Sequence, residues 1–106
     1  MLNSVSRTGL QTVLQDASVS IACDPNAVKH FLTLKAGTAT AGTLTLTAVP
    51  AGVGAAETVY DPYGAAITQN LASVTQKTYV IEGNFDTLNI ACSGSNGTYK
   101  YALQVA

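Results

Sequence analysis

The run Thr43-Leu-Thr-Leu-Thr-Ala-Val49 alternates polar and apolar side chains almost without a break. A period of two puts Leu44, Leu46 and Ala48 on one face and Thr43, Thr45 and Thr47 on the other. That is a half-buried β-strand, and it does not fit the 3.6-residue period of a helix. The same reading extends along the chain. Ser18–Cys23 turns Val19, Ile21 and Cys23 to one side, Val28–Leu34 carries Phe31 among apolar neighbours, and Glu57–Tyr60 leads into Asp61-Pro62-Tyr63-Gly64, a turn signature from which Ala65–Thr68 returns.

Three further strands, Lys77–Glu82, Thr87–Cys92 and Thr98–Val105, are joined by Gly83-Asn84 and by Ser93-Gly94-Ser95-Asn96-Gly97. Both links have hairpin length and composition, so an antiparallel meander is expected. Composition agrees with β structure: fourteen Thr, ten Val and five Tyr suit a pleated surface. Sixteen Ala fall mostly in Gly- and Thr-rich stretches without helical period. The expectation is an all-β chain, a small antiparallel β-sandwich or barrel of about 7–9 strands. At 106 residues it reads as one domain, residues 1–106, with residues 1–15 an extended N-terminal arm or an edge strand.

Charge narrows the function. Charged residues make up 10% of the chain and the net charge is −1, which leaves no general electrostatic grip on nucleic acid or an anionic membrane. No cationic stretch followed by an apolar run opens the sequence, so a secretory signal is not expected, and no run approaches about eighteen apolar residues.

Catalysis needs titratable groups that converge, and few are available. His30 is the only histidine and is expected on the polar face of a strand. Glu82 and Asp86 flank the Gly83-Asn84 turn; a paired-acid site there competes with the ordinary role of such charges as solubilising groups. Asp24-Pro25-Asn26 and the Asp61 turn are explained by Asx-type turns rather than calcium. Gly52 and Gly54 lack phosphate-loop spacing. No catalytic residue, metal site or cofactor is expected, and the chain is read as non-enzymatic. Tyr99-Lys-Tyr101 has the residue types of a stacking platform, but both rings share a face with Leu103 and Val105 and are expected in the core.

Cys23 and Cys92 both fall on strand patterns. Two reduced, buried thiols are the favoured reading, with an inter-sheet disulfide as the alternative. A secreted immunoglobulin-like domain would use that bond, but the expected core Trp is absent and Ile90 occupies the tyrosine-corner position. For sugar binding, Tyr60 and Tyr63 are the best candidates for exposed rings, against the alternative that they cover an end of the core.

The stretches Thr43-Leu-Thr-Leu-Thr-Ala-Val-Pro-Ala-Gly52, Glu57-Thr-Val-Tyr-Asp-Pro-Tyr-Gly64 and Tyr79-Val-Ile-Glu-Gly-Asn-Phe85, with Gly97-Thr-Tyr99, resemble in texture the small β-sandwich virion structural proteins of tailed bacteriophages. No site motif accompanies the resemblance, so no contact residue is carried over. It implies a capsid decoration or cement protein on the outer surface of a phage head. Such a protein would be made in the bacterial cytoplasm, bind the major capsid lattice and act as a homo-oligomer, with a trimer favoured. The alternative is a carbohydrate-binding or adhesin-type β-sandwich module on a phage fibre or host surface.

Overall fold

The computed structural model describes residues 6–24, 26–60 and 63–105. Among the described residues nine strands form two antiparallel sheets: β1 Ser6–Val13, β2 Val19–Ala22, β3 Lys29–Ala36, β4 Thr43–Pro50, β5 Glu57–Thr58, β6 Thr68–Asn70, β7 Gln76–Glu82, β8 Phe85–Ser93 and β9 Tyr99–Val105. The first sheet has the order β1-β9-β3-β7, and the second β2-β8-β4-β5 with β6 also on β4. They stack as a sandwich. Val13, Leu32, Leu34, Ile81, Tyr99, Leu103 and Val105 from one sheet meet Ile21, Leu44, Leu46, Ala48, Leu88 and Ile90 from the other. The alternation read in the sequence is what makes this possible, because β3, β4, β7 and β8 each give one face to the core and the other to solvent.

Of the expected arm or edge strand, Ser6–Val13 is β1, at the edge of the first sheet against β9. Its register shifts between Thr8 and Gln11, a bulge at Gly9-Leu10 that interrupts the exposed edge. Residues 1–5 lie outside the described residues.

The expected C-terminal meander is corrected. β7 belongs to the first sheet, β8 to the second and β9 to the first again, so both links cross between layers. The cause is local. Gly83 has φ +135°, away from the roughly +60° of a primed hairpin turn. Its N–H donates to Val28 O at 2.9 Å, while Asn84 Nδ2 donates to Ala27 O at 3.0 Å. The Phe85 ring then lies where a Gly83 side chain would stand, 2.9 Å from an added Cβ. The link is a corner that swings the chain into the other sheet.

At the opposite end, the β3–β4 and β8–β9 crossings lock together. Thr38 N–H donates to Thr98 Oγ1 at 3.0 Å, and Thr98 N–H donates to Thr38 Oγ1 at 2.8 Å. Asn96 Oδ1 accepts from the N–H groups of Thr40 and Ala41. Gly97 sits so close to this loop that an added Cβ would stand 2.7 Å from Ala39 N.

Candidate functional site

The residues singled out for chemistry do not converge. Glu82 sits opposite Lys29 on the first sheet, whereas Asp86, in the second, accepts from Gly52 N–H through Oδ2 at 3.3 Å. The expected confrontation across a hairpin is therefore absent, because there is no hairpin. Asp24 Oδ1 accepts from Asn26 N–H at 2.9 Å, an Asx turn; Pro25, Asp61 and Pro62 lie outside the described residues. Among the described residues no three His, Cys, Asp or Glu side chains gather as metal ligands.

His30 corrects the expectation that it faces solvent. Leu32 and Leu34 set the inward parity of β3, so Phe31 turns out and His30 turns in. It is wholly buried between Ile81 and Val105, with its ring 5.2 Å from that of Phe85. Neither ring nitrogen has a hydrogen-bond partner. Burial pushes its pKa below the usual imidazole value, and the Ile81 backbone only partly offsets that.

An inter-sheet disulfide between Cys23 and Cys92 does not fit. Cys23 N–H donates to Asp86 O, while Cys92 N–H donates to Ser18 Oγ near the far end of the same strand. Six residues along β8 span about 20 Å, against the about 7 Å limit between bridged Cα atoms. Both cysteines are free, and burial raises the Cys23 thiol pKa.

Tyr99 is buried and Tyr101 packs against the core. Tyr60 and Tyr63 do not cover the core: they are 60% and 95% exposed. Tyr63 borders a shallow depression with Ile67, Lys77, Thr78, Tyr79 and Val80.

Two surfaces emerge that the sequence did not separate. The outward positions of the second sheet form cross-strand rows: Ser20, Asn89, Thr47 and Thr58; Ala91, Thr45 and Thr68; Ser93, Thr43 and Asn70. Ser20 Oγ donates to Asn89 Oδ1 at 2.8 Å, and Asn89 Nδ2 reaches Thr47 Oγ1 at 3.4 Å. No charged side chain interrupts these rows.

The first sheet differs. All five Lys and Arg lie on its strands: Arg7 on β1, Lys29 and Lys35 on β3, Lys77 on β7 and Lys100 on β9. Lys35 and Lys100 stand directly opposite each other. Beside them a groove of about 530 Å³ is lined by Leu10, Phe31, Thr33, Thr78, Ala102 and Gln104, among others.

No protein-family model matches the chain, and no curated protein matches it. Solved structures do match its fold. The SPBc2 prophage-derived protein YomS superposes with a TM-score of 0.64 at 10% identity, over 99% of this chain and 96% of that one. A chain from Bacillus endospore appendages, a family of disulfide-linked pili, superposes with a TM-score of 0.51 at 16% identity, over 96% of this chain and 88% of that one. What this chain shares with the prophage-derived protein and with the endospore-appendage chain is thus the overall fold, over nearly its whole length.

Proposed function

We propose that the chain is a non-enzymatic virion structural protein, a decoration protein that binds the outer surface of a phage head as a homo-oligomer, a trimer by preference, and cements it. The observation that carries this reading is the charge-free outer face of the second sheet. Hydroxyl and amide groups lose little on leaving water if a partner supplies hydrogen bonds, whereas a charge on such a face would be costly to bury. Protein interfaces exclude charge from their centres for the same reason. The end-to-end fold likeness to a prophage-derived protein supports the phage setting.

The test is co-sedimentation with mature capsids from the same source. The expected result is saturable pelleting at a simple ratio to the major capsid subunit, lost on Thr45→Lys/Thr47→Lys substitution. Binding only the assembled shell stabilises it by about 2.7 kcal/mol per site at a hundredfold excess over Kd, so decorated shells should melt higher. A protein left wholly in the supernatant overturns the reading.

One observation favours a second reading. Tyr63 and Tyr60 present rings to solvent, as sugar-binding modules do. Glycan affinity abolished by Tyr63→Ala, together with no capsid binding, would establish the adhesin-type alternative.

A further inference from the structure

The placement of charge over the fold carries a self-contact. Lys35 and Lys100 face outward directly opposite each other on β3 and β9, an arrangement that opposes folding. Neither is paired with a carboxylate among the described residues. Thr33 and Ala102, one pleat further along the same strands, open the apolar groove with Leu10 and Phe31. Apolar wall and uncompensated cations thus adjoin on one face.

The complementary surface lies on the same molecule, at the end of the sandwich where the corner at Gly83 sits. Hydrogen bonds tie four exposed residues there into one tip. Asp24 accepts from Ala27 N–H and Asn26 N–H, Val28 O accepts from Gly83 N–H, Ala51 N–H donates to Asn84 O, and Asp86 accepts from Gly52 N–H. This tip displays Val28 and Val53, 58% and 57% exposed, beside the carboxylates of Asp24 and Asp86. Val53 projects from a turn closed by its own N–H on Pro50 O.

We infer that the Asp24–Val28–Val53–Asp86 tip of one copy docks on the Leu10–Phe31–Ala102 groove of a second copy, with Lys35 and Lys100 taking its carboxylates. The occupant is a second copy because this chain itself supplies the apolar side chains and opposite charges that the face requires. The contact is heterologous, so it closes into a ring or continues as a filament. It deepens the homo-oligomer part of the proposed function and rests on that part alone; shell binding fails or succeeds separately.

The experiment is sedimentation equilibrium of the purified full chain without capsids, at about 0.01 M and about 1 M salt. The screening length falls from about 30 Å to about 3 Å between these conditions. Association at low salt, weakened about tenfold or more at high salt, is expected. Lys35→Glu/Lys100→Glu, which spoils the face, and Val53→Glu, which spoils the tip, should each be monomeric. Mixed one to one, they should form a dimer and nothing larger, because each keeps one intact half. Both substitutions fall on exposed or half-buried side chains, and an unchanged melting curve checks that the fold is kept.

A wild-type chain that stays monomeric at low salt overturns the contact, as does salt-insensitive association or association unaffected by either variant. A monomer that pellets with capsids only when Lys35 and Lys100 are intact also overturns it and assigns the face to the shell. Retained oligomers that fail to bind capsids would leave the self-contact standing and remove the decoration role.

Discussion

Replacing His30 with Leu should make the protein more stable, although it alters a wholly buried core residue. A neutral imidazole carries one donor and one acceptor, and here both nitrogens lack partners. Each orphaned buried group costs about 1–3 kcal/mol. Leucine removes both penalties at similar volume but forfeits the tilted ring contact with Phe85, worth about 0.5–1.5 kcal/mol. Taking the lowest figure for each orphaned nitrogen, the net expectation is a gain of about 0.5–1.5 kcal/mol at pH 7.5. For a domain of this size each kcal/mol raises Tm by about 4–8 °C.

The pH dependence sharpens the test. Because burial lowers the folded-state pKa of His30, the unfolded chain takes up the proton first as pH falls below about 6.5. The histidine's contribution to stability is therefore whole above that pH. It declines by up to about 1.4 kcal/mol per unit below it, until the folded pKa is reached. Carboxylate titration is common to both proteins and cancels in their difference. Urea unfolding of wild type and His30→Leu from pH 7.5 to 5 should give two curves that diverge toward acid. Parallel curves, with the variant no more stable at pH 7.5, would refute the account and indicate that His30 is satisfied in solution.

Three further outcomes follow from buried or locked polar groups. Gln69 donates to Leu34 O and Val74 O and accepts from the Tyr79 hydroxyl at 3.0 Å, so Gln69→Leu should cost about 2–4 kcal/mol in urea unfolding; a loss below about 0.5 would contradict the network. Burial pushes the Tyr99 hydroxyl, which donates to Ala17 O, up to about 12. Stability should thus hold to about pH 10 and fall as pH rises toward 12, with Tyr99→Phe flattening that decline in alkaline unfolding curves. A double-mutant cycle of Thr38→Val and Thr98→Val should return a coupling of about 1 kcal/mol; strict additivity would show that the reciprocal bonds are not formed together.

Strand positions were legible because period two survives in Thr43–Val49 and its counterparts whatever the surroundings. Sheet membership was not. A two-residue Gly-Asn link suits a hairpin or a sandwich corner equally, and only the backbone of Gly83 and its bond to Val28 O decide between them. Facing was lost at His30 because an adjacent Phe31 competes for the core, and the leucines at positions 32 and 34 outvote it. Gln69 lies just past the Ala65–Thr68 segment read as a strand, yet its spacing of two from both Ile67 and Leu71 places it on their buried face. The charge-free outer face of the second sheet and the basic first sheet could not be told apart beforehand. The lysines are scattered in sequence and gather only once β1, β9, β3 and β7 are laid side by side.

That strand order also governs how the molecule comes into being. β9 separates β1 from β3, and β8 separates β2 from β4, so each sheet is held at its centre by a strand made late. During synthesis β1 and β2 emerge long before the strands that receive them. β3 can pair with β7, and β4 with β5 and β6, beforehand, but neither sheet can be completed until β8 and β9 have left the ribosome. Pairings of such long sequence separation place folding in the slow, millisecond-to-second class. For that interval Thr- and Val-rich strands stand open, and a single copy must find its own late strands before it finds those of its neighbours.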